Sequence, residues 1–392
     1  MLTPGLLAAV QAALADAGVD GWLLYEFRGT NPVAHAMLRL EGMVSRRVFA
    51  WVPCSGPPVA ITHAIEQSAW SRWPVEWKRT VYSSWQSLES QLESIVRGKR
   101  VMMEYSPADG VPVADRVPAG VVEMVRASGA TVVTSAELIS RFFAVWDDLQ
   151  RASHHRAAET LARIAREAFV RAGQSVAAGT PLAEHELMAW IRVQFDRERL
   201  TTDHGPNVSA SENAANPHYE PSPAAPRVLR AGDVLLIDLW AIEQGGMWAD
   251  QTWMASLGEP SAKVRAVWSA VRNARDAAIS LIRGRIVAGV PVRGAEADDA
   301  ARGVIEAAGY GPNFTHRTGH SIDARALHGA GPNLDNLETR DDRVLIAGVG
   351  FSVEPGVYLP GEFGVRTEVN AYVGARELVI TPREIQTELI VV

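Results

Sequence analysis

The stretch that most constrains this chain is GDVLLIDLWAIEQGGMWADQTWMASLG, residues 232–258. Two apolar, β-prone runs, Val234 to Ile242 and Met247 to Leu257, meet across Gly245 and Gly246. Glycine enters the positive-φ region that tight turns need, so the pattern predicts an antiparallel hairpin. Each run carries one carboxylate among apolar neighbours, Asp238 and Asp250. A buried charge is costly unless it is paired, so these strands belong to a domain that supplies an ion-pair partner or a metal.

The remaining chain sorts into two textures. Before residue 145, short apolar runs (Gly21 to Tyr25, Arg47 to Val52, Val59 to Thr62, Val101 to Tyr105, Thr131 to Val133) alternate with helical patterns near 4–17, 85–96 and 118–128. That alternation predicts an α/β domain. Beyond it, Leu161, Ile164, Ala165, Ala168 and Phe169 repeat with helical spacing, predicting a helix over 153–172 that Gly173 begins to end. A second helix is expected to open at Thr180 with Pro181 in its first turn, and others at 261–283 and 295–308. Further strands are expected at Gly350 to Val353 and Gly364 to Val373. At 392 residues the chain exceeds what one core usually supports. The expectation is two domains, 1–148 and 149–392, the second an α+β domain.

Composition narrows the function class. A net charge of −7 gives no concentrated positive field for nucleic acid or an anionic membrane. No apolar run approaches the ~20 residues that span a bilayer. The opening residues read as an amphipathic helix rather than a signal peptide. A single cysteine, Cys54, allows no intrachain disulfide, and a cytoplasmic location is expected.

Two more segments carry chemistry. FTHRTGHSIDARALHGAG places three of the chain's ten histidines, His316, His320 and His328, among glycines that let the backbone approach a ligand. FSVEPGVY and FGVRTEVNAYV place Glu354 and Glu368 in β-prone surroundings, with Pro355 and Gly356 ending a strand just after Glu354. Glu368 needs a cation: Arg366 supplies one, or the two serve one site together, since i and i+2 on a strand share a face. Four carboxylates and one imidazole suit a pair of Mn²⁺ or related divalent ions. Two ions ~3.5–4 Å apart can hold a bridging water and polarise a carbonyl, which is the chemistry of amide hydrolysis.

These residues resemble the pita-bread metallopeptidases, the family of methionine aminopeptidase, aminopeptidase P and prolidase, and most resemble the last two. The family's ligand order Asp, Asp, His, Glu, Glu falls on Asp238, Asp250, His320, Glu354 and Glu368. The first domain is similar to the smaller creatinase-type α/β domain of such enzymes. There are two departures. The spacing from Asp238 to Asp250 is one residue longer than usual, and one extra residue separates His320 from His328.

The resemblance implies a pita-bread catalytic domain, two divalent metal ions (Mn²⁺ first, Co²⁺ or Zn²⁺ as alternatives), small peptide substrates and a homodimer. It implies that a metal-bridged hydroxide attacks the carbonyl before proline while Glu354 moves the proton. His218 and His328 would stabilise the oxyanion, Arg366 would orient substrate or hold the site together, and His204 and His316 would support from further out. Prolidase cuts only Xaa-Pro dipeptides, whereas aminopeptidase P accepts longer chains. A dipeptidase must capture the substrate carboxylate, and Arg46, beside Arg47 at the start of RVFAWV, is the candidate cation for that task. Prolidase is the leading expectation and aminopeptidase P the alternative. A metal-free, creatinase-like hydrolase or a silent binding protein is the reading from another class.

Overall fold

The computed structural model describes residues 2–42 and 44–392, and the chain divides into two compact units, Met1–Phe143 and Ala144–Val392. The first unit runs α1 (Pro4–Asp16), β1 (Gly21–Glu26), α2 (Pro32–Leu38), β2 (Val48–Pro53), β3 (Val59–His63), β4 (Lys78–Tyr82), α3 (Trp85–Val96), β5 (Arg100–Met103), α4 (Ala119–Ala127), β6 (Thr131–Thr134) and α5 (Ala136–Phe142). Its strands form one mixed sheet in the order β4-β3-β2-β1-β5-β6. Leu23, Tyr25, Phe49, Trp51 and Val101 pack with Leu88 and Leu92 of α3 and Val122 and Val125 of α4.

Among the described residues, two carboxylates are buried in this unit. Glu104 accepts from the Trp22 indole, Asn31 Nδ2 at 2.8 Å and Ser135 Oγ at 3.1 Å, and Glu26 accepts from the backbone N–H groups of Gly29 and Asn31.

The second unit continues with α6 (Asp148–Ala177), α7 (Glu184–Arg197), β7 (Leu200–Thr201), β8 (Asn207–Ala210), β9 (Val234–Glu243), β10 (Ala249–Ser256), α8 (Ala262–Ala288), α9 (Gly294–Ala307), β11 (Ser321–Ile322), β12 (Gly350–Val353), β13 (Gly356–Leu359), β14 (Phe363–Arg366), β15 (Val369–Val373), β16 (Leu378–Thr381) and β17 (Ile390–Val391). The expected hairpin is present as β9 and β10, which pair antiparallel in a sheet with β7, β8 and β17. A four-stranded sheet β11-β12-β15-β16 and the β13-β14 hairpin complete the unit.

Side chains alternate across the β9–β10 hairpin, and the two faces meet different partners. Leu235, Ile237, Leu239, Ala241, Trp253 and Ala255 pack against α6 and α7 through Leu161, Ala165, Phe169 and Ile191. Val234, Leu236 and Met254 on the other face join Val267, Val271 and Ala274 of α8, and Phe351 and Val369 of the second sheet. Asp238 and Asp250 lie on that second face, flanked by its hydrophobic core.

Three expectations need correction. α6 does not end at Gly173 but continues to Ala177: a Cβ at Gly173 would lie 2.8 Å from the Val392 side chain, so the glycine serves close packing inside the helix. α7 opens at Glu184 rather than Thr180, its start fixed by Glu186 Oε2, which accepts from the Ala183 N–H at 2.7 Å. The span Gly364 to Val373 is two strands in different sheets, β14 and β15, with Thr367 and Glu368 at the crossing.

Candidate metal centre

The hairpin register opposes Thr252 to Asp238 and Asp250 to Trp240, so all four side chains leave one face of β9–β10. His320 is delivered by the strand pair beside it: Ser352 N–H donates to the His320 carbonyl at 2.8 Å, and the His320 N–H donates to Ser352 Oγ at 2.9 Å. Gly319 permits this approach, because a Cβ there would stand 2.0 Å from the Ser352 carbonyl oxygen. Glu354 follows β12 directly, as its position before Pro355 implies. The Glu368 N–H donates to the Thr252 carbonyl at 3.1 Å, bringing that carboxylate to the hairpin.

Ligand atoms of Asp250, His320 and Glu368 all lie within 4.8 Å of one another, and all three residues are buried. His320 Nε2 stands 3.3 Å from Asp250 Oδ2 and 3.5 Å from Glu354 Oε1. Asp238 is engaged differently. Its Oδ2 pairs with the Arg366 guanidinium, and its Oδ1 lies 3.2 Å from the Thr252 hydroxyl, which also lies 2.9 Å from Glu368 Oε2 and accepts from Arg366 Nε at 2.8 Å.

The electrostatics are unbalanced. Burial, reinforced by neighbouring carboxylates, pushes the pKa of Asp250 and of Glu368 well above the carboxylate range. Burial raises Asp238 too, opposed by Arg366. Burial works against ionisation of Glu354, but His320, His316 and Arg366 together hold it below its usual value. Burial pushes His320 down, so its ring is neutral. Its Nδ1 faces the Ser321 carbonyl at 3.0 Å and must be the protonated nitrogen, which leaves a lone pair on Nε2 directed at carboxylate oxygens. Asp250 Oδ1 and Glu368 Oε1 are buried without any hydrogen-bond partner. Lone pairs converging on one point, with orphaned carboxylate oxygens around it, fit a divalent cation held by oxygen ligands and one imidazole.

A cavity of about 1130 Å³ opens onto these residues, also lined by His204, His218, His316, His328 and Arg366. His328 lies with its ring centroid 4.1 Å from that of His320, which together with partial desolvation pushes its pKa down to about 4. His218 is exposed at the rim. His316 bridges the Arg317 carbonyl at 2.7 Å and the Tyr358 hydroxyl at 2.8 Å, and Tyr358 in turn approaches Arg366 at 3.5 Å. His204 is largely exposed and pairs with Asp203 at 3.0 Å.

Arg46 is not among the lining residues. It belongs to the first unit, is exposed, and donates from Nη1 to Ser45 Oγ at 2.7 Å. Both Arg46 and Arg47 precede β2, which begins at Val48, so strand alternation does not orient them.

Reading from the sequence passed over Thr252, Trp240, Tyr358 and Glu184. Period-two spacing from Asp238 and Asp250 was signal enough to find Trp240 and Thr252. Glu184, the first residue of α7, carried no local signal. Its buried carboxylate accepts from the Ala210 N–H at 2.6 Å, Asn213 Nδ2 at 3.0 and 3.1 Å and the Tyr219 hydroxyl at 2.6 Å, tethering the segment that bears His218.

The model of metallopeptidase family M24 matches residues 155–375, more than half of the chain. The chain belongs to that family. Among M24 relatives, a Xaa-Pro dipeptidase of Lactobacillus delbrueckii subsp. lactis is 33% identical over 189 residues, which is 48% of this chain and 47% of the relative. The chain thus spans about half the length of that curated relative. Among solved structures, the dipeptidase PepE of Mycobacterium ulcerans superposes with a TM-score of 0.72 at 23% identity, covering 98% of this chain and 96% of that one. An X-prolyl aminopeptidase of Caenorhabditis elegans, described as a cytosolic enzyme with a di-nuclear active site, superposes at 0.67 and 15% identity over 100% of this chain and 63% of its own. At these identities the likeness establishes the α+β pita-bread fold.

Proposed function

We propose that this M24 chain is a metal-dependent Xaa-Pro dipeptidase whose ion pair is held by Asp238, Asp250, His320, Glu354 and Glu368. The observation that carries the reading is the neutral His320 whose Nε2 lone pair faces Asp250 and Glu354, beside orphaned oxygens of Asp250 and Glu368. Mn²⁺ suits this mainly oxygen donor set, with Co²⁺ or Zn²⁺ as substitutes. When bound, the ions supply Lewis acidity, activating a water and polarising the scissile carbonyl.

The chain's own groups do the rest. Glu354, whose ionised form Arg366 and Arg317 favour, accepts a proton on its carboxylate and returns it to the proline nitrogen, which cannot leave unprotonated. His328, uncharged near neutrality, and His218 donate N–H groups to the oxygen on which negative charge develops. Arg366, committed to Asp238 and Thr252, holds the carboxylates in place rather than reaching for substrate. The first unit is read as a creatinase-type domain, and the assembly as a cytoplasmic homodimer. No helix among the described residues is long and apolar enough to cross a membrane.

Aminopeptidase P is the second reading, favoured by the likeness to the Caenorhabditis elegans enzyme. Protein stripped with chelator and resupplied with Mn²⁺ is expected to hydrolyse a Xaa-Pro dipeptide and spare the matched Xaa-Pro-Yaa tripeptide. In the same assay Glu354→Gln should lose at least ~100-fold in kcat, the lower range of general acid–base catalysis. Cleavage of the tripeptide would transfer the protein to the second reading. Turnover that ignores metal would overturn both.

A further inference from the structure

Trp240 stands opposite Asp250 across the hairpin and two residues along the strand from Asp238, so its indole leaves the same face as both carboxylates. It lines the cavity although only 6% of its surface is exposed. Three contacts immobilise it. The indole N–H donates to Asp203 Oδ1 at 2.8 Å, the His204 ring meets it edge-on at 5.1 Å, and the backbone at Gly205 approaches so closely that a Cβ there would lie 2.4 Å from the ring. Trp248, also at the cavity, is packed in a cluster with Trp146, Met247 and Ile322, and so extends this wall.

A large ring fixed on several sides cannot rotate aside for a bulky neighbour, because close-packed surroundings offer no alternative rotamer without displacing other groups. The charges around Trp240 indicate which end of a dipeptide meets it. Asp203 accepts from the indole, whereas Arg317 and Arg325 line the cavity through the segment that carries His316 and His328. A zwitterionic dipeptide therefore directs its ammonium to the tryptophan side and its carboxylate to the arginine side.

Resting on the dipeptidase reading above, we propose that Trp240 is a specificity-determining residue that caps the size of the N-terminal side chain, Xaa. Small residues fit between the indole and the carboxylate cluster, and large ones meet the ring.

The test measures kcat/KM of the Mn²⁺-loaded full chain for Ala-Pro and Phe-Pro, in the parent and in Trp240→Ala and Trp240→Phe. The ratio of the two substrates is taken within each protein, so any loss of folded or metal-loaded fraction cancels. The parent is expected to favour Ala-Pro by at least tenfold. Trp240→Ala should shrink that preference at least tenfold, and Trp240→Phe, which keeps a ring but loses the bond to Asp203, should fall between. A parent that cleaves Phe-Pro as readily as Ala-Pro, or a ratio that Trp240→Ala leaves unchanged, overturns the proposal while leaving the dipeptidase reading standing. A parent that cleaves neither dipeptide refutes the dipeptidase reading itself, and this inference with it.

Discussion

Each unit of this chain buries carboxylates, and it treats them in opposite ways. In the first, Glu104 collects donors from Trp22, Asn31 and Ser135, and Glu26 collects two backbone N–H groups, so the carboxyl oxygens are met by hydrogen bonds the fold itself provides. In the second, Asp238, Asp250, Glu354 and Glu368 crowd one end of a cavity around Arg366 and the neutral His320, with Asp250 Oδ1 and Glu368 Oε1 left without partners. An unsatisfied buried acceptor costs about 1–3 kcal/mol, and more when charged. The contrast separates a carboxylate that completes a fold from carboxylates that wait for a cation.

The largest effect expected is on metal. Burial and the neighbouring carboxylates favour the protonated forms of Asp250 and Glu368 in the metal-free protein, so loading Mn²⁺ is expected to release protons, measurable by titration in weak buffer. A hundredfold excess of ion over its Kd should add about 2.7 kcal/mol of stability. The sign with pH follows from the same shifts. A carboxyl whose folded pKa is raised binds more protons folded than unfolded, so its contribution to stability falls as pH rises above the ordinary carboxylate range. Glu368→Gln removes one such group. It should abolish Mn²⁺-dependent activity, yet in chelator it should unfold at higher temperature than the parent, by a margin that widens from pH 5 to pH 7.5. Buried histidines, which titrate with the opposite sign, cancel largely in that difference. A metal-free parent that releases no protons on loading and gains nothing from Glu368→Gln would erase the distinction between the two regions.

Glu184 sharpens the comparison from inside the second unit, because it is buried there but fully satisfied, by Ala210, Asn213 and Tyr219. Its expected role is positional, holding the segment with His218 at the cavity rim. Tyr219→Phe, which removes one of those donors, should lower kcat/KM about tenfold while leaving Mn²⁺ content unchanged. In a His218→Ala background the same change should cost nothing further, since residues acting through one another are not additive. Equal losses in both backgrounds would make the tether merely structural.

What the sequence disclosed follows the reach of each signal. Period-two alternation is local and strong, so the β9–β10 hairpin and the carboxylates on it were legible, and a strand ending at a proline announced Glu354. Signals that depend on distant partners were not. Gly173 reads as a helix stop until Val392 is seen packed on it. The KRTVY strand β4 at the edge of its sheet lacks a continuous apolar face, since only Tyr82 of its five residues is buried. Arg366 and Glu368 were expected to share a face of one strand. Instead Arg366 ends β14 and Glu368 lies in the crossing to β15, and the Thr252 hydroxyl touches both at the cavity.

The smallest effect tests the satisfied side of the comparison. Burial raises Glu104 to about 7, so much of it is protonated near neutrality, and in that form the carboxyl can donate to Ser135 Oγ while still accepting from Trp22 and Asn31. Glutamine cannot do this. Whichever way its amide is turned, an N–H₂ group faces the Asn31 amide or the Trp22 indole, donor against donor, and Glu104→Gln should therefore destabilise by about 1–3 kcal/mol. The loss should be independent of Mn²⁺, and the loaded protein should keep its activity. The same exchange of Glu for Gln is thus expected to weaken one metal-free region and strengthen the other. If thermal unfolding in chelator shows Glu104→Gln and Glu368→Gln shifting in the same direction, hydrogen-bond satisfaction is not what distinguishes the two sets of buried acids.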